Sequence, residues 1–394
     1  MRLAFHYHSP AIQAGSHIKT PSYIGVFIDS LAAEVEEVIC FMHSPRSFEV
    51  SAVDYTLKAK NVRLVNIGVH SALPVRLLST HKYRKVVREH SDLFDVMLIR
   101  TPTPLTMALT KAHKKPVVYY VVGDYVEGAK TLTLPAWKTF LVKSYAAYFN
   151  RKLLKVIKSR TMAANSQLLY NQLKDQAAEA HLVKSTTLTG EDIFAREDSF
   201  VSRKNDEPVN ILFTGRITPS KGLEDVLTAC GKLIESEGLS FHFHIAGMID
   251  KGGESFIDRL KKQSAQYADE PFVTFYGKLN AGEQLNGLYR KCHIFTIASR
   301  GDFEGFPRVL WEAMANSLPV LATTVGSIPY FLESEKHALL VPPNDPDAFA
   351  EGLRKIIKDE DFRKKLIVNG RELAAINTLE QRAKDMVKIL ESAR

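Results

Sequence analysis

The sequence is poor in cysteine: Cys40, Cys230 and Cys292 are the only thiols in 394 residues. They form no CxxC pair, which excludes a disulfide scaffold and a cysteine-based zinc site and predicts a reducing, cytoplasmic setting. Long apolar runs are also missing. No window approaches the roughly 18 apolar residues of a membrane-spanning helix. The opening MRLAFHYHSP has one basic residue and a short apolar run instead of a signal-peptide core. Low-complexity segments and internal repeats are absent, which argues against a solenoid. The first strand candidate runs into His8-Ser9-Pro10 and not into G-x-G-x-x-G, which disfavours a dinucleotide dehydrogenase.

What is present is an ordinary globular composition, 45% hydrophobic and 24% charged, in a chain too long for one core. The net charge is +8, and it is unevenly spread. Residues 1–195 hold 25 Lys and Arg against 15 Asp and Glu, and the remainder holds 27 against 29. A basic first half predicts an anionic partner there, whether nucleic acid, lipid headgroups or an acidic acceptor. Residues 136–160 carry Lys138, Lys143, Arg151, Lys152, Lys155, Lys158 and Arg160 with no acid, interleaved with Trp137, Phe140, Tyr145, Tyr148 and Phe149. On a helix this mixture suits peripheral contact with an anionic membrane surface. The competing reading is a core face at Phe149, Leu153, Val156 and Ile157 with solvated lysines behind it.

Buried-strand runs at 3–8, 37–41, 62–67, 96–100, 117–122 and 161–165 alternate with helical stretches such as 23–34 and 82–89. The alternation restarts at 209–214 and continues at 241–246, 273–276, 294–298, 319–323 and 338–341. Strands alternating with helices predict crossover units and parallel sheets. The aperiodic polar stretch 196–208 between the two series reads as a linker. The expected α/β architecture is therefore two doubly wound, Rossmann-like domains facing each other across a cleft. The first covers residues 1–195 and the second 196–375, with a final helix at 376–394 packing back on the first.

Ligands of open parallel sheets bind at the carboxyl ends of strands, and two such loops stand out. The segment GRITPSKG (215–222) places Arg216 and Lys221 beside two glycines after a buried strand, a phosphate site in outline. Its spacing is not that of a P-loop, and solvated loop cations are the plain alternative. The second segment, SRGDFEGFPRVLWEAMA (299–315), puts Pro307 where a first helical turn tolerates it. Backbone N–H groups at 305–309 are then free to meet phosphate or sugar oxygens. Glu304 and Glu312, eight apart, suit two polyol groups of one ligand, although a carboxylate near a helix start is favoured on electrostatic grounds alone.

Taken together, GRITPSKG and the EGFPRVLWEAMANSLPVLATTVGSIPYFL segment resemble the retaining GT-B glycosyltransferases of family four, the group 1 glycosyl transferases. The likeness spans most of 209–352, including Gly247, Tyr276-Gly277-Lys278-Leu279 and VPPNDPDAFAEGL. In the first half, Ala164-Asn165-Ser166 and Gly190-Glu191-Asp192-Ile193-Phe194 resemble family segments, with Gly15 as the strand-one loop glycine. The resemblance implies that Arg216 and Lys221 bind the donor diphosphate, Glu304 the transferred sugar and Glu312 the ribose. Gly215, Lys278, Leu279, Gly305, Phe306 and Val309 complete the donor side, with catalysis assigned to Glu304, Arg216 and Lys221. Two departures bear on the sugar-orienting and acceptor-side chemistry. Val325-Gly326-Ser327-Ile328-Pro329-Tyr330 lacks a second donor-side carboxylate that many relatives have, and Gly123-Asp124 stands where the family has a histidine. His8, Gly15 and Asp124 are the acceptor-side candidates.

Asp345-Pro346-Asp347 is formally a D-x-D, but its place before a helix suits an N-cap better than a metal. His6 with His8, and His242 with His244, each share a strand face without a third ligand at zinc spacing, so structural hydrogen bonding is expected. The expectation is a metal-independent retaining glycosyltransferase with no cofactor and no nucleic-acid partner. It would move sugar from a nucleoside diphosphate sugar, a UDP-sugar, to a glycan or lipid-linked acceptor. A nucleotide-sugar hydrolase or epimerase and a catalytically silent sugar-nucleotide or membrane-binding protein are the alternatives.

Overall fold

The computed structural model describes residues 1–71, 73–124, 126, 136–184, 186, 188–200, 203–204, 207–249, 253–279, 282–301 and 306–394. Two compact units emerge. Unit 1 is Met1–Thr187 with Leu379–Arg394, and unit 2 is Leu188–Thr378.

Unit 1 is built on β1 (Arg2–Pro10), β2 (Ile12–Ala14), β3 (His17–Thr20), β4 (Glu37–Ser44), β5 (Tyr55–Thr56), β6 (Val62–Val69), β7 (Val96–Thr101), β8 (Val117–Val121), β9 (Thr161–Ala164) and β10 (Glu179–Leu182). Seven of these form one sheet in the order β10-β9-β8-β7-β1-β4-β6, every pairing parallel. Because both faces are covered, its central strands are near-continuous apolar runs, and all five residues of β8 are buried. One face packs Leu3, Phe5 and Leu98 on Ile24, Ile28 and Leu31 of the helix Ser22–Ala32. The helix Leu379–Ser392 adds Ala383, Met386 and Leu390 to that same core. The opposite face packs Ile39, Phe41, Met97 and Tyr119 on Tyr83 and Val87 of the helix Thr80–Glu89, and on Leu153, Val156 and Ile157 of the helix Ala136–Ile157.

Unit 2 holds β11 (Val209–Thr214), β12 (Phe241–Ala246), β13 (Val273–Gly277), β14 (Ile294–Ile297), β15 (Val320–Thr323) and β16 (Leu339–Val341) in the order β13-β12-β11-β14-β15-β16. Here too every pairing is parallel. Both units are thus Rossmann-like.

The stretch 196–208 is not a free linker. Among its described residues, Asp198 and Arg363 form a buried ion pair at 2.7 Å, and Arg363 Nη1 also donates to the carbonyls of Ile356 and Ile357. Arg196 Nη2 donates to Cys292 O at 2.9 Å. Its polar composition reflects charge buried with partners, and the unit boundary falls before Leu188. Two further features carried no sequence signal. β10 is a short, half-exposed edge strand, and β2, β3 and β5 form a separate small antiparallel sheet with Gly15 at a turn.

Candidate functional site

In unit 2 the strand order reverses between β11 and β14: β12 and β13 continue on one side, β15 and β16 on the other. Such a switch point opens a crevice at the carboxyl ends of the two strands. The loop after β11 is GRITPSKG, and the loop after β14 begins SRG. Segments some 80 residues apart in the chain therefore become neighbours.

Three contacts lock them together. Gly222 has φ +65°, and a Cβ there would stand 1.9 Å from Ala298 O at the end of β14, so only glycine permits the approach. The Arg300 N–H donates to Ser220 O at 2.9 Å. The Arg300 guanidinium then grips both carboxylate oxygens of Asp225, at 2.9 and 2.6 Å, and reaches Glu224 at 3.2 Å. Asp225 and Glu224 form the first turn of the helix Leu223–Glu237. This bidentate pair fixes the second loop onto the helix that follows the first.

On that frame Arg216 is exposed, with no ion pair among the described residues, and Lys221 is half-buried at the end of a single 3-10 turn, Pro219–Lys221. Gly247, after β12, packs so closely that a Cβ would lie 1.6 Å from Gly215 O. The Gly247 N–H donates to Gly277 O at 2.8 Å, which brings the loop after β13, with exposed Lys278 and half-buried Leu279, to the same end of the sheet.

Glu312 lies in the helix Val309–Ala315, which starts two residues after Pro307 and not at it. Its Oε2 accepts from the Tyr289 hydroxyl at 3.0 Å, and that hydroxyl is 2.7 Å from Thr214 Oγ1 at the end of β11. Burial raises the Glu312 carboxyl, while the Tyr289 hydrogen bond and Arg308 act in the opposite direction. Tyr289 and Thr214 thus position Glu312 next to the GRITPSKG strand. Phe306 packs against Trp311 and Phe331 in tilted ring contacts, with centroids 4.4 and 4.6 Å away, so the segment leading to Val309 is anchored by aromatic packing. Glu304 and Gly305 lie outside the described residues.

Among the remaining expectations, Asp345 Oδ1 caps the helix Pro346–Lys358 through Ala348 N–H at 2.9 Å, and Asp347 pairs with Lys232. His242 and His244 are hydrogen-bonded to Thr274, and to Tyr276 and Asn210. No group of three or more His, Cys, Asp or Glu suited to a metal occurs among the described residues. In unit 1, Ser166 caps the helix Gln167–Leu173, Asp124 accepts from Val126 N–H at 2.6 Å, and Gly15 is exposed. His8 sits near the end of β1, half-buried, and desolvation lowers its pKa to about 4. Sequence reasoning did not find Tyr289, Thr214 or the pairing of Arg300 with Asp225. Arg300 lies inside the second motif, but nothing local to it names a partner.

Residues 194–373 match the family of glycosyl transferases group 1. The chain carries a glycosyl transferases group 1 domain. It is 30% identical over 173 residues to a putative colanic acid biosynthesis glycosyltransferase, WcaL, of Salmonella typhimurium, covering 43% of this chain and 41% of that one. The chain spans about two fifths of the length of the curated relatives it matches first. Over its full length it resembles a glycosyltransferase from Rickettsia africae, with a TM-score of 0.67 at 17% identity over 98% of that chain. It likewise resembles Anabaena Alr3699/HepE in complex with UDP and glucose, with a TM-score of 0.63 at 15% identity over all of that chain. At such identities the likeness is one of fold, and the fold is GT-B. The family segment contains every link of the lock between the two loops.

Proposed function

We propose that the protein transfers a sugar, with retention and without a metal or other cofactor, from a UDP-sugar to a hydroxyl of a glycan or lipid-linked acceptor in cell-surface polysaccharide assembly. The observation that carries this reading is the convergence of GRITPSKG and the Glu312 helix at the switch point of unit 2. The WcaL relative, named for colanic acid biosynthesis, and the UDP complex of HepE support the choice of acceptor and donor classes.

In this reading Arg216 and Lys221 hold the diphosphate, Glu312 the ribose and Glu304 the transferred sugar. As the bond between the anomeric carbon and the diphosphate oxygen breaks, the leaving group gains negative charge. Arg216 and Lys221 stabilise that charge where it develops, an electrostatic contribution that grows toward the transition state. The acceptor oxygen forms its bond on the same face, and its proton passes to the departing phosphate oxygen. No enzyme nucleophile is required.

Unit 1 supplies the acceptor side and a membrane contact in the cytoplasm, peripheral to the inner face. No helix among the described residues is long and apolar enough to cross a membrane. The helix Ala136–Ile157 instead exposes Phe140, Leu141 and Tyr148 together with Lys143, Arg151 and Lys155, and turns Ala146, Leu153 and Val156 inward. Apolar and cationic side chains on one outward face suit an anionic bilayer surface.

The direct test measures nucleoside diphosphate release from a panel of UDP-sugars, with and without lipid-linked glycan. Release that needs the acceptor is expected. Release at the same rate without it would identify a hydrolase, and no release would leave a binding protein.

A further inference from the structure

Unit 1 carries a cation that neither the donor site nor the basic helix Ala136–Ile157 uses. At the carboxyl end of β7, Arg100 stands in a row of side chains set by strand register. His6 of β1 pairs with Ile99, and Arg100 pairs with Tyr120 of β8. Tyr7, Arg100 and Tyr120 therefore lie side by side on the sheet face that the helix Ser22–Ala32 covers. That helix adds Phe27 and Tyr23. Arg100 Cζ lies 4.8 Å from the ring centroid of Tyr7, 5.9 Å from those of Phe27 and Tyr120, and 6.0 Å from that of Tyr23. Four aromatic rings thus hold one guanidinium.

The rings leave its hydrogen-bonding capacity unused. A ring face attracts positive charge but offers no lone pair to the N–H groups, which point outward in the guanidinium plane. Arg100 makes no hydrogen bond or ion pair among the described residues, and its Nε is buried without a partner. Its Nη groups are not shut off in that way, and the residue is half-buried. The Tyr7 hydroxyl likewise has no hydrogen bond among the described residues. Burial raises its pKa against the pull of Arg100, so it stays protonated and can donate. Arg100 can only donate, and the Tyr7 hydroxyl is free to turn and do the same. Tyr23 is 50% exposed, so the cage is open to solvent at that ring. Half-buried donors without acceptors are costly unless a ligand supplies lone pairs, and the carboxyl end of an open parallel sheet is where such a ligand is expected.

A guanidinium fork with unused N–H groups matches an oxyanion side on. The cage holds no second Lys or Arg, which suits a single negative charge, a carboxylate, better than a phosphate. Its aromatic walls suit the apolar face of a sugar ring. Tyr23 also lines a cavity of about 340 Å³ with Pro10, Pro21, Glu49 and Asp54. Asp54 Oδ1 accepts from Ser22 N–H at 2.9 Å, which leaves Oδ2 for a hydroxyl. A second anion would be repelled there, whereas a polyol would not.

We infer that Arg100 and Tyr7 bind the carboxylate of an acidic sugar, a uronic acid residue of the glycan acceptor. The cage stands on unit 1 alone, and its assignment to the acceptor rests on the transferase reading above.

The test titrates methyl glucuronide and its neutral counterpart, methyl glucoside, into the full chain and follows the tyrosine rings by NMR. The glucuronide should bind about tenfold or more tightly than the glucoside, as expected for a charge-assisted pair, and should shift the Tyr7 ring signals. Arg100→Gln should erase that preference. Tyr7→Phe should lower glucuronide affinity about fivefold, the worth of one ordinary hydrogen bond, and leave the glucoside as before. Equal binding of the two sugars by the wild-type chain, or a preference that survives Arg100→Gln, would overturn the site. Arg100→Gln weakening both sugars alike would make the cage structural. Glucose 6-phosphate binding more tightly than the glucuronide, with the same dependence on Arg100, would overturn the choice of carboxylate. If Arg100→Gln does not fold, Arg100→Lys keeps the charge and loses the fork; it should reduce the preference severalfold, and an unchanged preference would overturn the pairing.

A kinetic arm separates an acceptor carboxylate from a free one. It compares a glycan acceptor bearing a uronic acid with the same glycan after carboxyl reduction. The wild-type chain should show an acceptor KM about tenfold lower for the acidic form, and Arg100→Gln should remove the difference while the donor KM stays in place. Equal KM values for the two glycans would refute the acceptor assignment. A glucuronide preference in a chain that transfers sugar to neither glycan would refute the transferase reading and leave a site for free carboxylates.

Discussion

Arg216 and Lys221 share a loop at the carboxyl end of β11, one exposed and the other half-buried. If each makes one charge-assisted hydrogen bond to a diphosphate, its removal costs about 1.5–3 kcal/mol. Arg216→Ala and Lys221→Ala should therefore each weaken UDP binding by roughly ten to a hundredfold, read by calorimetry; unchanged affinity would make the loop structural. Tyr289 is expected to act more modestly. Its hydroxyl joins Thr214 to Glu312, and Tyr289→Phe should cost about 1 kcal/mol of UDP affinity, the net worth of one hydrogen bond. If Glu312 holds the ribose, uracil and phosphate alone should bind as before. A loss shared by all three ligands would mean that Tyr289 supports unit 2 in general. Glu312 was legible as part of a spaced pair, whereas Tyr289 was not. A tyrosine 23 residues earlier meets Glu312 only after both helices have packed on the sheet.

At the scale of the element, the helix Ala136–Ile157 buries the core face that its sequence predicts and leaves cations and aromatics exposed on the other side. Leu153, Val156 and Ile157 are buried as a core face requires, and Phe149 is half-buried. Phe140 is 70% and Tyr148 54% exposed, alongside Lys143, Arg151, Lys155 and Lys158. Each cation near an anionic bilayer contributes about 1 kcal/mol, screened over about 8–10 Å at ordinary ionic strength. The protein is therefore expected to sediment with anionic vesicles at low salt and to be released by added salt. Lys152→Glu with Lys155→Glu and Lys158→Glu should abolish sedimentation while sparing transfer to a short soluble acceptor. Failure of the wild-type chain to sediment at low salt would leave this face with a different partner. The buried strands of both large sheets were legible from apolar runs because parallel strands are covered on both faces. β10 was not, since an edge strand with half-exposed polar residues has no such run.

Across the whole molecule, the polar stretch 196–208 shows how composition can mislead. Asp198 is 7% and Arg363 4% exposed, and they meet from positions 165 residues apart. Removing one partner strands the other charge in the interior, so Arg363→Ala should destabilise unit 2 by about 3–5 kcal/mol. Thermal unfolding should show that loss in the unit 2 transition, with unit 1 melting as before; an unchanged melt would mean that Asp198 finds water or another donor. The sequence by itself determined two Rossmann-like units, the strands that build them and the two motif loops of unit 2, because periodicity and strand-end chemistry are local properties. Only the tertiary structure decided that GRITPSKG and the loop after β14 are neighbours, that Arg300 locks them through Asp225, that Tyr289 holds Glu312, and that the supposed linker belongs to unit 2. Each of these pairs residues from distant segments, and strand order, which no local pattern encodes, sets which loops and helices share an end of the sheet.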